Sequence, residues 1–102
     1  MNKQLPLYWP DDIVLYIHRI TAVDFTPMKV VRVLGQDAIG MYWYILVDER
    51  RVLAGIRESW LKSAEGLTAK QIDRLNTVTP REEQLASLAV SILKTHRLTH
   101  DG

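Results

Sequence analysis

The chain has 102 residues, a net charge of +1 and no cysteine. That leaves room for one domain, 1–102, and excludes a disulfide framework, thiolate metal sites, iron–sulfur ligation and a thiol nucleophile. Hydrophobic residues at 47% and charged residues at 25% are globular proportions, and 13 basic against 12 acidic side chains create no bulk field that would draw the chain to nucleic acid or an anionic membrane.

Residues 1–8 contain no apolar run of signal-peptide length. The longest apolar run, 38–47, falls well short of the roughly 20 residues that span a bilayer. The expectation is a cytoplasmic protein with no membrane partner. Up to about Gly66 the apolar residues are β-branched and aromatic; beyond it two segments have helical periodicity. Pro10, Asp11 and Asp12 lead into a strand over 13–20. A second strand, 28–34, alternates weakly, with Val31 and Val33 on one face and Val30, Arg32 and Leu34 on the other. Gly35, Gln36 and Asp37 open the next connection. In the third strand, 41–47, Met41, Trp43, Ile45 and Val47 share one face and Tyr42, Tyr44 and Leu46 the other. The turn Asp48-Glu49-Arg50 is short enough only for an antiparallel hairpin into a fourth strand, 51–56. Gly55 inside that strand marks a bulge or a close backbone approach.

Thr68 and Gln71 have capping-box spacing and start a short helix to about Leu75, with Ile72 and Leu75 facing inward. Thr79, Pro80 and Glu82 start a long helix to about Leu98. Along it, Leu85, Leu88, Ala89 and Ile92 form a stripe that Ala86, Val90 and Leu93 widen to about 200°. A helix lying on one sheet needs an apolar stripe of little more than about 100°. The excess is to be covered either by the short helix and the segment 5–9 of the same chain, or by a second copy in a homodimer.

The β-rich order resembles SH3-like small barrels over about residues 10–62. The entry Asp11-Asp12-Ile13-Val14, a strand after a long first loop, the aromatic strand ending Tyr44-Ile45-Leu46-Val47, the turn at 48–50 and the segment Glu58-Ser59-Trp60-Leu61 stand in the corresponding places. The resemblance implies a strongly curled antiparallel sheet of four or five strands followed by the two helices, an α+β domain; the runner-up is an open meander with the long helix across one face. It also implies a binding role, since such barrels are peptide readers and nucleic-acid binders and rarely enzymes. One tetrameric reductase of this type uses a Val-Gln-Ile-Tyr run; Val52-Leu53-Ala54-Gly55 stands here instead, so that activity is not implied.

His96 and His100 are one helical turn apart, a zinc-ligand spacing with Asp101 as a third donor, but Arg97 replaces the glutamate of the metalloprotease motif. The pair is therefore read as cations at a helix end, and no metal or cofactor is expected. No nucleophile-elbow glycines frame Ser59, and His18 reads as a half-buried sheet residue. Asp48, Glu49 and Glu58 read as solvated turn charges, which leaves a cofactor-free enzyme only as a second alternative. The leading expectation is a non-enzymatic module, a homodimer that also binds another protein, acting through Leu85, Leu88, Ala89, Ile92, Leu93 and Trp60, because the wide apolar helix face, Trp60 and the Tyr8-Trp9-Pro10 cluster are interface-type residues. The first alternative is nucleic-acid binding through Arg32, Tyr42, Tyr44, Arg50, Arg51 and Arg57.

Overall fold

In the computed structural model, which describes residues 5–17, 27–78 and 80–96, the chain is α+β. Five strands, β1 (Ile13–Tyr16), β2 (Pro27–Gln36), β3 (Tyr42–Val47), β4 (Val52–Arg57) and β5 (Leu61–Ser63), precede two helices, α1 (Ala69–Asn76) and α2 (Glu82–His96). The strands form one antiparallel sheet in the order β4-β3-β2-β1-β5. A 3₁₀ turn, Glu58–Trp60, carries the chain from one edge strand to the other. Residues of both edge strands, Ile56 and Leu61, share one core cluster, so the sheet curls; no ladder joins β4 to β5 among the described residues, so it is not a closed barrel. None of the described helices is long and apolar enough to cross a membrane.

Strand β3 alternates as its sequence requires. Tyr42, Tyr44 and Leu46 enter a first cluster with Val14, Met28, Val30, Ile56 and Leu61. Ile45 enters a second cluster with Leu34, Leu85 and Ala89, against which Trp43 packs. Strand β2 departs from the expected alternation. Register shifts between Val30 and Arg32, and again between Val33 and Gly35, insert one extra residue each. Each insertion reverses the facing of the residues beyond it. Val30 and Val33 therefore face the first cluster, while Val31 and Leu34 face the second.

The two faces are covered differently. The first is closed by the curl of the sheet and by the N-terminal segment, whose Pro6 is buried and whose Tyr8 packs on the cluster. The amide of Asp11 donates to the carbonyl of Val30 at 2.8 Å, and the Val30 amide to Asp12 at 2.8 Å, tying this segment to β2. Residues 5–9 thus cover the sheet, not α2 as one expectation had it. The second face is covered by α2. Leu85 and Ala89 are buried, and Leu88, Ile92 and Leu93 pack against the same cluster. Of the wide apolar arc, Ala86 and Val90 stay exposed. The surplus that motivated a second copy is therefore largely absorbed within the chain, and the five α2 residues expected to bind a partner are engaged with their own sheet.

Helix α1 starts where its sequence says. The Thr68 hydroxyl accepts from the Gln71 amide at 3.2 Å, and the Gln71 side chain accepts from the Thr68 amide at 2.9 Å. Leu75 is buried as expected, but Ile72 is exposed, since only one side of this short helix meets the sheet. Thr79, the expected cap of α2, lies outside the described residues, as does Leu98 at its expected end. Lys29, 6% exposed, donates from Nζ to the Val78 carbonyl at 2.8 Å and ties the link between the helices to β2.

Gly55 meets both requirements read from its sequence. It sits at φ +74° where the β3–β4 register shifts between Tyr44 and Ile45. A Cβ there would lie 3.0 Å from Ile92 Cδ1 of α2. Gly66 has a similar φ of +69° with nothing within 4 Å of its Cβ position. Replacing Gly66 by alanine should cost about 1 kcal/mol of backbone strain. Gly55→Ala adds a contact with the helix and should cost about 2–3 kcal/mol in urea unfolding. Equal losses at the two sites would show that α2 does not rest on Gly55.

Candidate functional site

The sheet gathers aromatic rings and one guanidinium from β1, β3 and the end of β4 with the turn that follows it. Arg57 is the last residue of β4 and pairs across the ladder with Trp43 of β3. The 3₁₀ turn after it brings Trp60 back, so that the Arg57 guanidinium carbon lies 5.6 Å from the Trp60 ring centroid. This is a cation–π distance. Trp60 meets Trp43 edge-on, with centroids 6.4 Å apart and planes at 60°. Trp60 also meets Tyr16 of β1, with centroids 6.5 Å apart. All four side chains are half-buried, so each presents surface.

Two carboxylates flank this platform, Asp37 bonded to its own turn and to Trp43, and Glu58 bonded to Tyr44 and the N-terminal segment. Asp37 opens the β2–β3 turn. Its Oδ1 accepts from the amides of Ile39 at 3.0 Å and Met41 at 2.9 Å, and its Oδ2 from Trp43 Nε1 at 2.9 Å. Burial alone would raise its pKa; the Trp43 hydrogen bond, the Met41 and Ile39 amides and the Arg57 charge outweigh that and hold it below the usual carboxylate range. Glu58 Oε2 accepts from the Tyr44 hydroxyl at 2.6 Å and from the Leu7 amide at 3.0 Å. Tyr44 is fully buried, and burial together with the Glu58 hydrogen bond and charge pushes its pKa well up. Tyr8, 5.8 Å from Tyr44 ring to ring, is raised by burial and by the charge of Glu58. Glu58 is therefore no solvated turn charge. It latches the N-terminal segment to the core.

Arg57 has no such latch. Its Nε is buried with no hydrogen-bond partner, and no described carboxylate lies within ion-pair distance of it. Comparisons with protein-family models, curated proteins and solved structures found no match. Chemistry at this platform is therefore read from its own groups.

The remaining expected sites disperse. Tyr42 and Tyr44 are 2% and 0% exposed, so neither offers a ring to a base, a correction to the nucleic-acid surface expected from the sequence. Arg51 is paired with Asp48 at 3.3 Å in the β3–β4 turn. Arg50 shares that turn, and both lie the length of β4, roughly 20 Å, from Arg57. Arg32, on β2, is engaged in interactions of its own. Asp48 accepts from the amides of Arg50 and Arg51 at 2.8 and 2.7 Å, a turn-forming role, and Glu49 approaches Arg74 at 3.8 Å. Neither meets Glu58. His18, His100 and Asp101 lie outside the described residues, as does the side chain of His96. Among the described residues no three metal-ligating side chains come together. A cleft of about 180 Å³ between the β3–β4 turn and α1 is lined by Asp48, Glu49, Arg50 and Arg74, charges of both signs, with Glu49 facing Arg74. It is smaller than the roughly 300 Å³ at which ligand pockets begin.

Two titrations test this geometry. The chain has four tyrosines, and because the folded pKa of Tyr8 and Tyr44 is raised, the stability they contribute is complete below the unfolded value near 10 and is lost as pH rises toward the folded values. Absorbance at the tyrosinate band should show these two ionising late, Tyr44 only with unfolding, and Glu58→Gln should bring the Tyr8 step to lower pH. For Asp37 the sign is opposite. Its depressed pKa contributes stability above the unfolded value near 3.9, lost as pH falls through the folded value. Asp37→Asn should flatten the acid limb of the stability profile and shift the Trp43 emission; an unchanged acid limb would remove Asp37 from this role.

Proposed function

We propose that the chain is a non-enzymatic protein-binding module whose sheet is SH3-like in plan, and that its partner docks on the platform of Tyr16, Trp43, Arg57 and Trp60. The strand order and the 3₁₀ turn between the two edge strands support the SH3-like reading. One observation carries the functional reading: half-buried Arg57 has its guanidinium over the Trp60 ring, which in turn packs on Trp43. Trp, Tyr and Arg are the side chains that dominate binding energy at interfaces. Rings held by their neighbours lose little conformational freedom on binding. Nucleic acid is disfavoured because the two strand tyrosines are interior and, among the described residues, Arg50 and Arg51 lie at the far end of β4 from Arg57.

The platform is distinguished from other exposed aromatic surface by comparing Trp60→Ala with Trp9→Ala. Trp9 is 51% exposed and lies outside the platform. In affinity capture from the native host after nuclease treatment, Trp60→Ala should lose a protein that the wild type and Trp9→Ala retain, with circular dichroism unchanged. Oligonucleotide binding with a steep salt dependence, abolished by Arg50→Glu with Arg51→Glu, would overturn the proposal.

A further inference from the structure

We propose that residues 5–9 are a detachable strap that clamps the turn carrying Trp60, so that closing the strap fixes the platform and opening it loosens the platform; the consequence for binding rests on the reading of that platform given above. The strap grips the turn at both ends. The Leu7 amide donates to Glu58 Oε2 at 3.0 Å, and Glu58 is the first residue of the 3₁₀ turn. The Tyr8 hydroxyl donates at 3.3 Å to the carbonyl of Leu61, the residue that caps the turn. Two neighbouring strap residues thus hold the two residues between which Ser59 and Trp60 lie. The Tyr8 ring reinforces the first of these grips. It meets Tyr44 edge-on, with centroids 5.8 Å apart, and the Tyr44 hydroxyl donates to the same Glu58 oxygen at 2.6 Å.

The turn has modest means of its own. The Leu61 amide donates to the Glu58 carbonyl and closes it, and the Trp60 carbonyl accepts from the Ile17 amide at 2.8 Å. A 3₁₀ turn of this length has poor hydrogen-bond geometry and little internal stability. Side-chain contacts from outside therefore weigh heavily in fixing where Trp60 sits.

The strap itself is built to come away. Among the described residues, no backbone-to-backbone hydrogen bond joins residues 5–8 to a strand. Buried Pro6, half-buried Tyr8 and the side-chain bonds above hold it, while Leu5 and Leu7 face outward. Past residue 10 the chain is tied to β2 by the two 2.8 Å bonds between Asp11, Asp12 and Val30. Between the two parts lies a turn closed by the Asp12 amide and the Trp9 carbonyl at 3.0 Å, with Pro10 second and Asp11 third. Asp11 has φ +78°, in a place that glycine takes without strain in a turn of this pattern. The turn is thus a pivot, and opening relieves its strain. Segments with few backbone bonds and exposed side chains open locally, ahead of global unfolding.

Native-state hydrogen exchange of the full chain, read residue by residue by NMR, tests the clamp. The amides of Leu7, Leu61 and Ile17 should exchange through one shared opening, faster than the amides of β3. Tyr8→Phe removes the bond to Leu61 and keeps the ring against Tyr44. It should speed all three amides by about 2- to 10-fold, the equivalent of one hydrogen bond between neutral groups, and shift the Trp60 indole resonance. Leu5→Ala, on the outward side of the strap, should change neither. Faster exchange at Leu7 alone, with Leu61, Ile17 and the Trp60 indole unmoved, would show a strap that opens without touching the platform and would overturn the clamp. Exchange of all three at the rate of the β3 amides would show that the strap opens only with the whole fold, and would overturn it equally. These readouts need no partner, so they stand apart from the binding reading, which falls if Trp60→Ala retains every captured protein. Where a Trp60-dependent partner is captured, Tyr8→Phe should retain less of it; equal retention with a loosened turn would remove the strap from control of binding.

Discussion

Strand β3 is buried on both faces, and the architecture follows from having to cover it twice. Tyr44, Ile45, Leu46 and Val47 are each 0% exposed. An antiparallel sheet can leave one face to water; here neither side of the third strand tolerates it. One side is covered by curling the sheet until both edge strands reach a common cluster and by laying residues 5–12 across the opening. The other is covered by α2, which approaches closely enough that one of the residues beneath it has to be glycine. The Tyr44 hydroxyl is the polar cost of this arrangement, since a buried hydroxyl needs a partner. Glu58 supplies it and in the same contact holds the N-terminal segment through the Leu7 amide. Core, strap and turn are thus coupled through a single carboxylate.

Features governed by neighbours in sequence were legible in advance. The alternation of β3, the Asp48 turn, the Thr68–Gln71 box and the special backbone at Gly55 depend on a few adjacent residues, and the structure contains each of them. What escaped were features that depend on register. The two insertions in β2 leave no mark in Val30-Val31-Arg32-Val33-Leu34, because either parity places apolar residues on both faces. The width of the apolar arc on α2 misled for a related reason. A curved, bulged sheet with Val31, Leu34, Trp43 and Ala54 on its second face receives a broader helix surface than a flat sheet would. Ile72 failed in the opposite direction, because α1 touches the sheet over little more than one turn.

The candidate site was half legible. Trp60 stood out as an aromatic residue in a turn, but nothing in the sequence ties it to Arg57, Trp43 and Tyr16. That grouping needs the β3–β4 register, which places Arg57 beside Trp43, and the path from β4 to β5, which returns Trp60 over both. Arg57 was named only among six residues for contacts with nucleic acid, and its surroundings point elsewhere. Its near neighbours are rings and carboxylates, while Arg50 and Arg51 occupy the far end of the same strand.

With the leucines and isoleucine of α2 engaged by their own sheet, the large apolar side chains still exposed among the described residues are Leu5, Leu7 and Trp9, at alternate positions of the N-terminal segment, and single residues elsewhere: Ile39 in the β2–β3 turn, Val52 at the start of β4, Ile72 on α1 and Val90 on α2. Single exposed apolar residues are normal on any protein surface and do not define an interface. The platform at Trp60 is different in kind: rings packed on one another and a guanidinium that no described carboxylate meets at ion-pair distance. Asp37 and Glu58 serve the turn and the strap, and neither forms an ion pair with Arg57, so the fold leaves that charge without a described carboxylate at contact distance.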